Sequence, residues 1–258
     1  MIPALSRIWE ECFGDSPEYI RFFMERRFPT CQSFVWLEQG EAVGAIYLLP
    51  CYLQQKPAFY AYAGGVMPSY RRRGIFENLL ACSKKLCEWN ESALILVPAA
   101  GTEVYYQKRG FIPQFSYSQF SIKADMPDVG VEFRSVSPSQ YERLRNKKFS
   151  ALPYLQWDKD AIAYALAENE FCGGFAHIVF YEQEYLIFGK KNEKILEIME
   201  TTMSLELVKF LSGTLCSHWE TEQISLRIPA MLEYKRREYG GMFGSSNFEN
   251  GWLGLSLI

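Results

Sequence analysis

The chain has 258 residues, of which 48% are apolar and 22% are charged, and its formal net charge is −3. This balance is typical of a soluble globular protein, and the length predicts two domains. The net charge does not indicate a chain-wide basic surface for nucleic acid, and no apolar run is long enough for a bilayer span. We therefore expect no nucleic-acid or membrane partner. Because the N-terminus lacks the basic and apolar segments of a signal peptide, we also expect a cytoplasmic protein.

The cysteines and histidines argue against two further classes of protein. Seven cysteines occur without a C-x-x-C pair, which favours reduced thiols over a disulfide framework or a zinc site. The only histidines are His177 and His218, too few for a multi-histidine metal site. A Ser-His-Asp hydrolase is disfavoured for the same reason, and no metal is expected.

Apolar spacing and turn residues predict an alternation of helices and strands in the first half of the chain. The predicted helices span 2–13, 17–27, 74–89 and 102–108, and the predicted strands span 33–39, 42–49, 59–66, 93–97 and 115–122. Gly40-Glu41 is a compact hairpin signal between two of these strands.

The second half repeats this order after a turn-rich linker. The predicted strands span 131–134, 175–181, 184–189, 194–201, 223–228 and 252–258, and the predicted helices span 138–147, 157–169, 204–219 and, weakly, 230–238. Strand 93–97 matches strand 224–228 at an offset of about 130 residues, which predicts a duplication. The predicted domains are 1–123 and 131–258, joined by linker 124–130, and only the second opens with a strand. The alternative is that two generic α/β patterns happen to align.

The segment from Gly64 to Leu80 carries the clearest chemistry. It runs from a strand through an arginine-rich loop, Arg71 to Gly74, into an amphipathic helix. Free N–H groups of the first helical turn and the helix dipole attract an anion there, and the arginines add charge. Gly74 lets the backbone approach a phosphate closely. As an isolated pattern, three arginines before a helix are more often a solvated loop.

The spacing V-x-P-x-x-R-x-x-G, followed by L-L, is more specific. It resembles the pyrophosphate-binding loop of the GNAT superfamily of coenzyme A-dependent N-acetyltransferases. Arg71 and Gly74 match the motif, whereas Phe76 stands where Gly or Ala is usual. The resemblance implies an α/β (α+β) fold with a mixed, mostly antiparallel sheet flanked by helices, in which strands 59–66 and 93–97 are parallel and splay apart.

The same resemblance implies the cofactor, acetyl-CoA, and the residues that bind it. Backbone groups of the strand end would pair with the pantetheine arm, and the loop and first helical turn would hold the pyrophosphate. The residues implied are Gly64, Gly65 and Val66 on the strand, and Arg71, Arg72, Arg73, Gly74, Ile75, Phe76 and Glu77 in the loop and helix.

A second stretch, Y-x-x-x-G-F, matches the same family at Tyr106, Gly110 and Phe111. The resemblance implies that Tyr106 protonates the departing coenzyme A thiolate after direct attack by an amine in a ternary complex. The alternative is that Tyr106 packs in the core. The general base is left open between Glu41, Glu103 and a water chain, because strand 59–66 has no carboxylate.

In the second half the corresponding loop, 201–206, has neither the Arg nor the Gly of the motif. We therefore expect a degenerate GNAT-like domain that walls the acceptor groove, completes the first domain's sheet or forms a homodimer. The sequence predicts an N-acetyltransferase that acts on a primary amine of an unknown small molecule or peptide. The alternatives are a non-catalytic acyl-CoA sensor and a structural interaction module.

Overall fold

The computed structural model describes residues 1–244 and 248–255, and the chain forms two compact units. The N-terminal unit comprises Met1–Pro113 and Gly240–Asn247, and the C-terminal unit comprises Gln114–Tyr239 and Phe248–Ile258. These limits differ from the predicted 1–123 and 131–258. Residues 114–123 belong to the second unit, and a segment near the C-terminus belongs to the first.

The helices and strands follow the predicted order closely. The N-terminal unit contains α1 (Ile2–Phe13), α2 (Pro17–Arg26), β1 (Gln32–Glu38), β2 (Glu41–Leu53), β3 (Lys56–Val66), α3 (Ile75–Trp89), β4 (Ala93–Leu96), α4 (Glu103–Gln107) and the first two residues of β5 (Ile112–Lys123). The C-terminal unit contains the rest of β5, β6 (Glu132–Ser135), α5 (Pro138–Phe149), β7 (Leu155–Gln156), α6 (Lys159–Phe171), β8 (Gly174–Tyr181), β9 (Gln183–Asn192), β10 (Ile195–Thr201), α7 (Leu205–Phe210), α8 (Ser212–Trp219), β11 (Gln223–Pro229) and the start of β12 (Arg236–Phe243).

Local chemistry explains the first elements. Ser16 caps α2 by accepting a hydrogen bond from the Tyr19 N–H at 3.2 Å, and Pro17 occupies the first turn. Gln39 and Gly40 both have positive φ, 50° and 87°, which is the backbone that a two-residue hairpin turn needs. The predicted hairpin between β1 and β2 is therefore confirmed, with its turn at Gln39-Gly40, one residue before the predicted Gly40-Glu41.

The sheet of the N-terminal unit receives a strand from the far end of the chain. β1, β2 and β3 are antiparallel, and β3 pairs with β4 in parallel. β4 then pairs antiparallel with residues 241–243 of β12. One of the three roles predicted for the second half, completion of the first half's sheet, is thus confirmed.

The same topology recurs in the C-terminal unit. β8, β9 and β10 are antiparallel, β10 pairs with β11 in parallel, and β11 pairs antiparallel with β5. β6 adds an edge strand beside β8, and among the described residues no strand lies at the equivalent place beside β1. β5, from the first half of the chain, therefore belongs to the sheet of the C-terminal unit. Residues 241–243 of β12, from the second half, belong to the sheet of the N-terminal unit.

Three predicted elements differ from the structure. Residues 230–238 do not form a helix but a turn, closed by the Tyr234 N–H on the Met231 carbonyl at 3.1 Å, and then the start of β12. Helix 204–219 is two helices that part at Leu211. In the strand predicted over 252–258, only Trp252 makes a β-bridge, and 256–258 lie outside the described residues. For residues 230–238 a pairing partner elsewhere in the chain contributes to the outcome, because the end of β12 pairs with β4.

A fully buried carboxylate anchors the end of the C-terminal unit. Glu200 is 0% exposed. Its Oε1 accepts hydrogen bonds from the Tyr141 hydroxyl at 2.8 Å and from Arg145 Nε at 2.9 Å. Its Oε2 accepts from Trp252 Nε1 at 3.0 Å and from the Leu255 N–H at 3.1 Å. Four donors satisfy the charge, and this network holds residues 252–255 against β10 and α5.

The predicted linker, residues 124–130, is packed against α8 as part of the C-terminal unit. The Val129 N–H donates to Thr214 Oγ1 at 2.8 Å, and the Thr214 hydroxyl donates to the Val129 carbonyl at 3.1 Å. Beside them, a Cβ on Gly213 would clash with the Met126 carbonyl oxygen. The helix can approach the segment only because position 213 lacks a side chain.

Gly213→Ala is therefore expected to destabilise the protein by about 1–3 kcal/mol, as overpacking against backbone does. Ser217→Ala, at an exposed position of the same helix, is the control and should change the free energy of unfolding little. Urea unfolding measures both. Equal stability of Gly213→Ala and the parent would contradict the tight packing.

Among the described residues, no helix combines the length and apolar character that a membrane span requires.

Candidate functional site

A β-bulge bends the end of β3. Tyr62 pairs with Tyr47 and Gly65 pairs with Ala45, so two residues of β3 lie opposite the single residue Ile46. The extra residue is accommodated at Ala63, which has φ 44°. The sequence suggested a bulge at Gly64-Gly65, and the structure has it one residue earlier, at Ala63-Gly64, because Gly65 pairs with Ala45.

The bulge lies beyond the point where β3 and β4 stop pairing. Their parallel ladder runs only from the Ala58 and Ala93 pair to the Tyr60 and Ile95 pair. β3 continues to Val66, whereas β4 ends at Leu96. The predicted arrangement, parallel neighbours that separate at their carboxyl ends, is present.

Two glycines at the bulge are required by what packs on them. A Cβ on Gly65 would lie 2.9 Å from Cys12 Sγ in α1. A Cβ on Gly64 would lie 2.9 Å from Cε2 of Phe76 in α3. Both distances are shorter than side chains tolerate, so the backbone of β3 is approached from one side by α1 and from the other by the Phe76 ring.

The arginine-rich loop reverses the chain between β3 and α3. Arg71 Nε donates to the Val66 carbonyl at 3.0 Å, and Arg73 donates to the Ser69 carbonyl at 3.2 Å. Arg72 and Gly74 have left-handed backbones, with φ 63° and 76°. The loop therefore ends with its chain directed into the first turn of α3, whose N–H groups have no partners within the helix.

A pocket of about 320 Å³ opens at this helix terminus. Seven of the ten residues predicted to bind the cofactor line it, namely Val66, Arg71, Arg72, Gly74, Ile75, Phe76 and Glu77. The predicted residues Gly64, Gly65 and Arg73 lie in the same loop and strand but are not among the lining residues. Tyr70, Tyr105 and Arg109 also line the pocket and were not predicted to bind there. The signal for the last two was the Y-x-x-x-G-F stretch, which contains Arg109 and directly follows Tyr105.

Arg109 is held firmly at the rim of this pocket. Its guanidinium lies 3.6 Å from the centre of the Tyr105 ring and donates to the Tyr105 carbonyl at 3.0 Å. Arg109 Nη2 lies 3.1 Å from Glu77 Oε2. This ion pair joins the residues that follow α4 to the first turn of α3. Lys84 Nζ donates to the Arg109 carbonyl and so supports the backbone at this point.

Tyr106 lies in an aromatic cluster beside the pocket and is not among its lining residues. Its ring contacts Tyr105, Phe111 and Phe76 at centroid distances of 5.3, 5.7 and 6.4 Å. Burial, and to a smaller extent the neighbouring Tyr105, raises the pKa of Tyr106 to about 12. The phenol therefore stays protonated through the neutral range and is able to donate a proton. Its catalytic role stays a prediction.

The carboxylates considered as general base lie outside the pocket. Glu41 is exposed at the start of β2. Glu103 is exposed in α4, where its Oε1 accepts from the Gly101 N–H at 3.1 Å. In the described part of the chain, no group of three or more His, Cys, Asp or Glu side chains is arranged to hold a metal ion.

The corresponding turn in the C-terminal unit has different chemistry. Ser204 Oγ accepts from the Leu207 N–H at 3.1 Å, so the side chain itself caps the short helix α7. Thr201, just before it, donates its hydroxyl hydrogen to the Leu186 carbonyl at 2.6 Å. Polar groups of this turn are thus bonded within the unit, which agrees with the absence of the motif's Arg and Gly.

Comparisons with known proteins find one family model that matches the N-terminal part of the chain. Residues 2–113 match the model of the acetyltransferase (GNAT) domain. A search of curated proteins found no match.

Solved structures share the fold over most of the chain at low sequence identity. A probable N-acyltransferase from Enterococcus faecalis V583 superposes with a TM-score of 0.74 at 15% identity, covering 93% of this chain and 69% of that one. A GCN5-related N-acetyltransferase from Kribbella flavida gives 0.71 at 17% identity, covering 93% and 68%. A tandem GNAT protein from the clavulanic acid biosynthesis pathway gives 0.56 at 13% identity, covering 95% and 96%.

The sequence match over the N-terminal segment and the shared fold over both halves agree. Residues 2–113 of this chain match the acetyltransferase (GNAT) domain, and the two-unit chain shares the fold of solved GNAT structures.

Proposed function

We propose that the protein is an N-acetyltransferase that transfers the acetyl group of acetyl-CoA to a primary amine. The observation that carries the proposal is the pocket at the N-terminus of α3, where two arginines, Arg71 and Arg72, and the first-turn N–H groups meet beside the bulge of β3. A pyrophosphate matches this concentration of positive potential. The family of the domain supports the choice of an acyl-coenzyme A as its source.

Different segments of the chain are proposed to bind different parts of acetyl-CoA. In the proposal, the loop and the first turn of α3 hold the pyrophosphate, and the free edge of β3 from Gly64 to Val66 pairs with the pantetheine amides as an added strand would. Arg71 contributes twice, because it lines the pocket and also fixes the Val66 carbonyl at the end of β3. Its loss would loosen the strand end as well as remove charge.

The chemistry is a direct attack of the amine nitrogen on the thioester carbonyl. A lysine-like amine has a pKa of about 10.4, so the ammonium must lose a proton before it attacks. Collapse of the tetrahedral intermediate releases a thiolate, and Tyr106 is the proposed proton donor to it. Placing both reactants in one cleft supplies much of the rate.

The proposal is tested by calorimetric titration of acetyl-CoA into the purified protein. We expect micromolar binding by the parent and a loss of at least about 100-fold in Arg71→Ala/Arg73→Ala/Gly74→Asp, which removes two cations and adds an anion at the helix terminus. The matched control is Arg21→Ala/Arg26→Ala/Gly40→Asp. It makes the same charge change and places Asp at another exposed glycine of positive φ, 87°, away from the pocket.

No binding by the folded parent at millimolar acetyl-CoA would overturn the proposal and leave the interaction module. Equal losses in the two variants would show that net charge, not the pocket, determines binding.

A non-catalytic acyl-CoA sensor is the second candidate. It is favoured by the position of Tyr106 outside the lining of the pocket and by Phe76 in place of a small residue. A panel of primary amines separates the two, with thiol release from acetyl-CoA as the readout. Binding without thiol release over the whole panel would favour the sensor, whereas release with any amine establishes the enzyme.

A further inference from the structure

We propose that Arg109 is a phosphate-binding residue of the cofactor pocket and that Glu77 competes with the phosphate for it. This inference rests on the proposed function, since the phosphate belongs to a coenzyme A molecule. Glu77 places a carboxylate in the lining of a pocket whose other charged residues, Arg71, Arg72 and Arg109, are cationic.

Contacts within the chain fix the orientation of Arg109. Its guanidinium is stacked on Tyr105, one Nη donates to the Tyr105 carbonyl, and Lys84 supports its own carbonyl. In the described part of the chain its Nε has no hydrogen-bond partner and is covered. The remaining edge, Nη2, meets the carboxylate of Glu77 at 3.1 Å. The guanidinium therefore offers this edge to whichever anion lies at the first turn of α3.

Glu77 is the weaker of the two anions that compete for that edge. Its side chain is 60% exposed and that of Arg109 is 24% exposed, and an ion pair this close to solvent contributes little. A phosphate carries more charge and more acceptor oxygens, and it binds a guanidinium in two-point fashion. The phosphate is therefore expected to replace the carboxylate, which leaves Glu77 as a nearby negative charge that lowers affinity.

The two partners are thus predicted to act in opposite directions on binding. Glu77→Gln removes the competitor and the repulsion but keeps the side-chain size, so it should tighten coenzyme A binding by about 3–10-fold. Arg109→Met keeps an apolar cover on Tyr105 but removes the charge, so it should weaken binding by about 10–100-fold. In the Arg109→Met background the gain from Glu77→Gln should shrink, because one of its two causes is absent.

The experiment is calorimetric titration of coenzyme A and of inorganic pyrophosphate into parent, single variants and double variant. The controls are Glu25→Gln and Lys108→Met, which make the same charge changes at exposed positions outside the pocket lining. Thermal melting verifies that each variant folds. Titration with 3′-dephospho-coenzyme A identifies the phosphate: the effect of Arg109→Met persists if it contacts the pyrophosphate and disappears if it contacts the 3′-phosphate.

The outcomes separate this inference from the proposed function. Affinities of Glu77→Gln and Arg109→Met that equal the parent's would overturn the inference while the function stands. Weakening by both variants would also overturn it, because the pair would then be a structural support of the loop. Opposite shifts with pyrophosphate, together with no transfer to any amine, would retain the anion site and overturn the enzyme. Failure of the folded parent to bind either probe would overturn both.

Discussion

Glu200→Ala is expected to lower the free energy of unfolding by about 3–5 kcal/mol, the range for removing one partner of a buried ion pair. The reason is that the variant leaves the positive charge of Arg145 buried without its partner. Arg145 is 0% exposed, and its other guanidinium nitrogens already donate to the carbonyls of Leu155 and Leu253. Without Glu200 the guanidinium is buried with no anion, and the hydrogen bonds to Trp252 and Leu255 are lost with it.

The matched control is Glu184→Ala, which breaks an ion pair of the same chemistry in the same unit. Arg143 and Glu184 lie 2.7 Å apart, but their side chains are 57% and 33% exposed. This variant should change stability by less than about 1 kcal/mol. Urea unfolding of both proteins measures the difference, and similar midpoints for the two variants would refute the dominant role of burial.

Tyr106→Phe is expected to lower kcat for acetyl transfer by about 100-fold, the scale of a lost general acid. The Kd of acetyl-CoA should stay close to the parent's, since the hydroxyl lies outside the pocket lining and the ring is retained. Tyr105→Phe is the control. It preserves the ring under Arg109 and should leave kcat nearly unchanged. Steady-state rates together with calorimetry give both quantities, and an active Tyr106→Phe enzyme would assign the residue to packing.

The pH dependence gives an independent test of this role. Because burial raises the pKa of Tyr106 to about 12, its acid form is fully populated at neutral pH and is lost only as the pH rises through that value. A general acid with this pKa does not cause kcat to fall at any pH below about 10. Any fall in kcat that begins below pH 10 should therefore come from another titrating group and persist in Tyr106→Phe. A decline between pH 8 and 9 that vanishes in Tyr106→Phe would contradict the raised pKa.

Local features of the chain were the part that the sequence predicted well. The hairpin at Gln39-Gly40, the bulge at Ala63-Gly64 and the amphipathic helix after Gly74 all depend on residues close together in sequence, and the first two lie within one residue of the predicted positions. Positive φ, period and capping act over a few residues, so a single sequence contains the necessary information. For the same reason most residues of the pocket's loop were predicted, because they are consecutive.

The failures share a different cause. Residues 230–238 have no strong local preference, and β12 forms because its end finds β4, more than 130 residues away in the chain. Likewise, nothing in the sequence places Arg109 opposite Glu77, because that contact depends on how α4 lies beside α3. Tyr106 was singled out by a motif, yet tertiary packing places its neighbour Tyr105 at the pocket.

By itself, then, the sequence determined the order of helices and strands and the duplication, and it predicted an anion-binding helix terminus. The tertiary structure decided which unit each final strand joins, β5 in one and the end of β12 in the other, and which side chains converge on the pocket. The physical reason is that propensity, turn chemistry and dipoles are local. Strand pairing and the approach of charges are instead selected by the burial and hydrogen bonding of the whole fold.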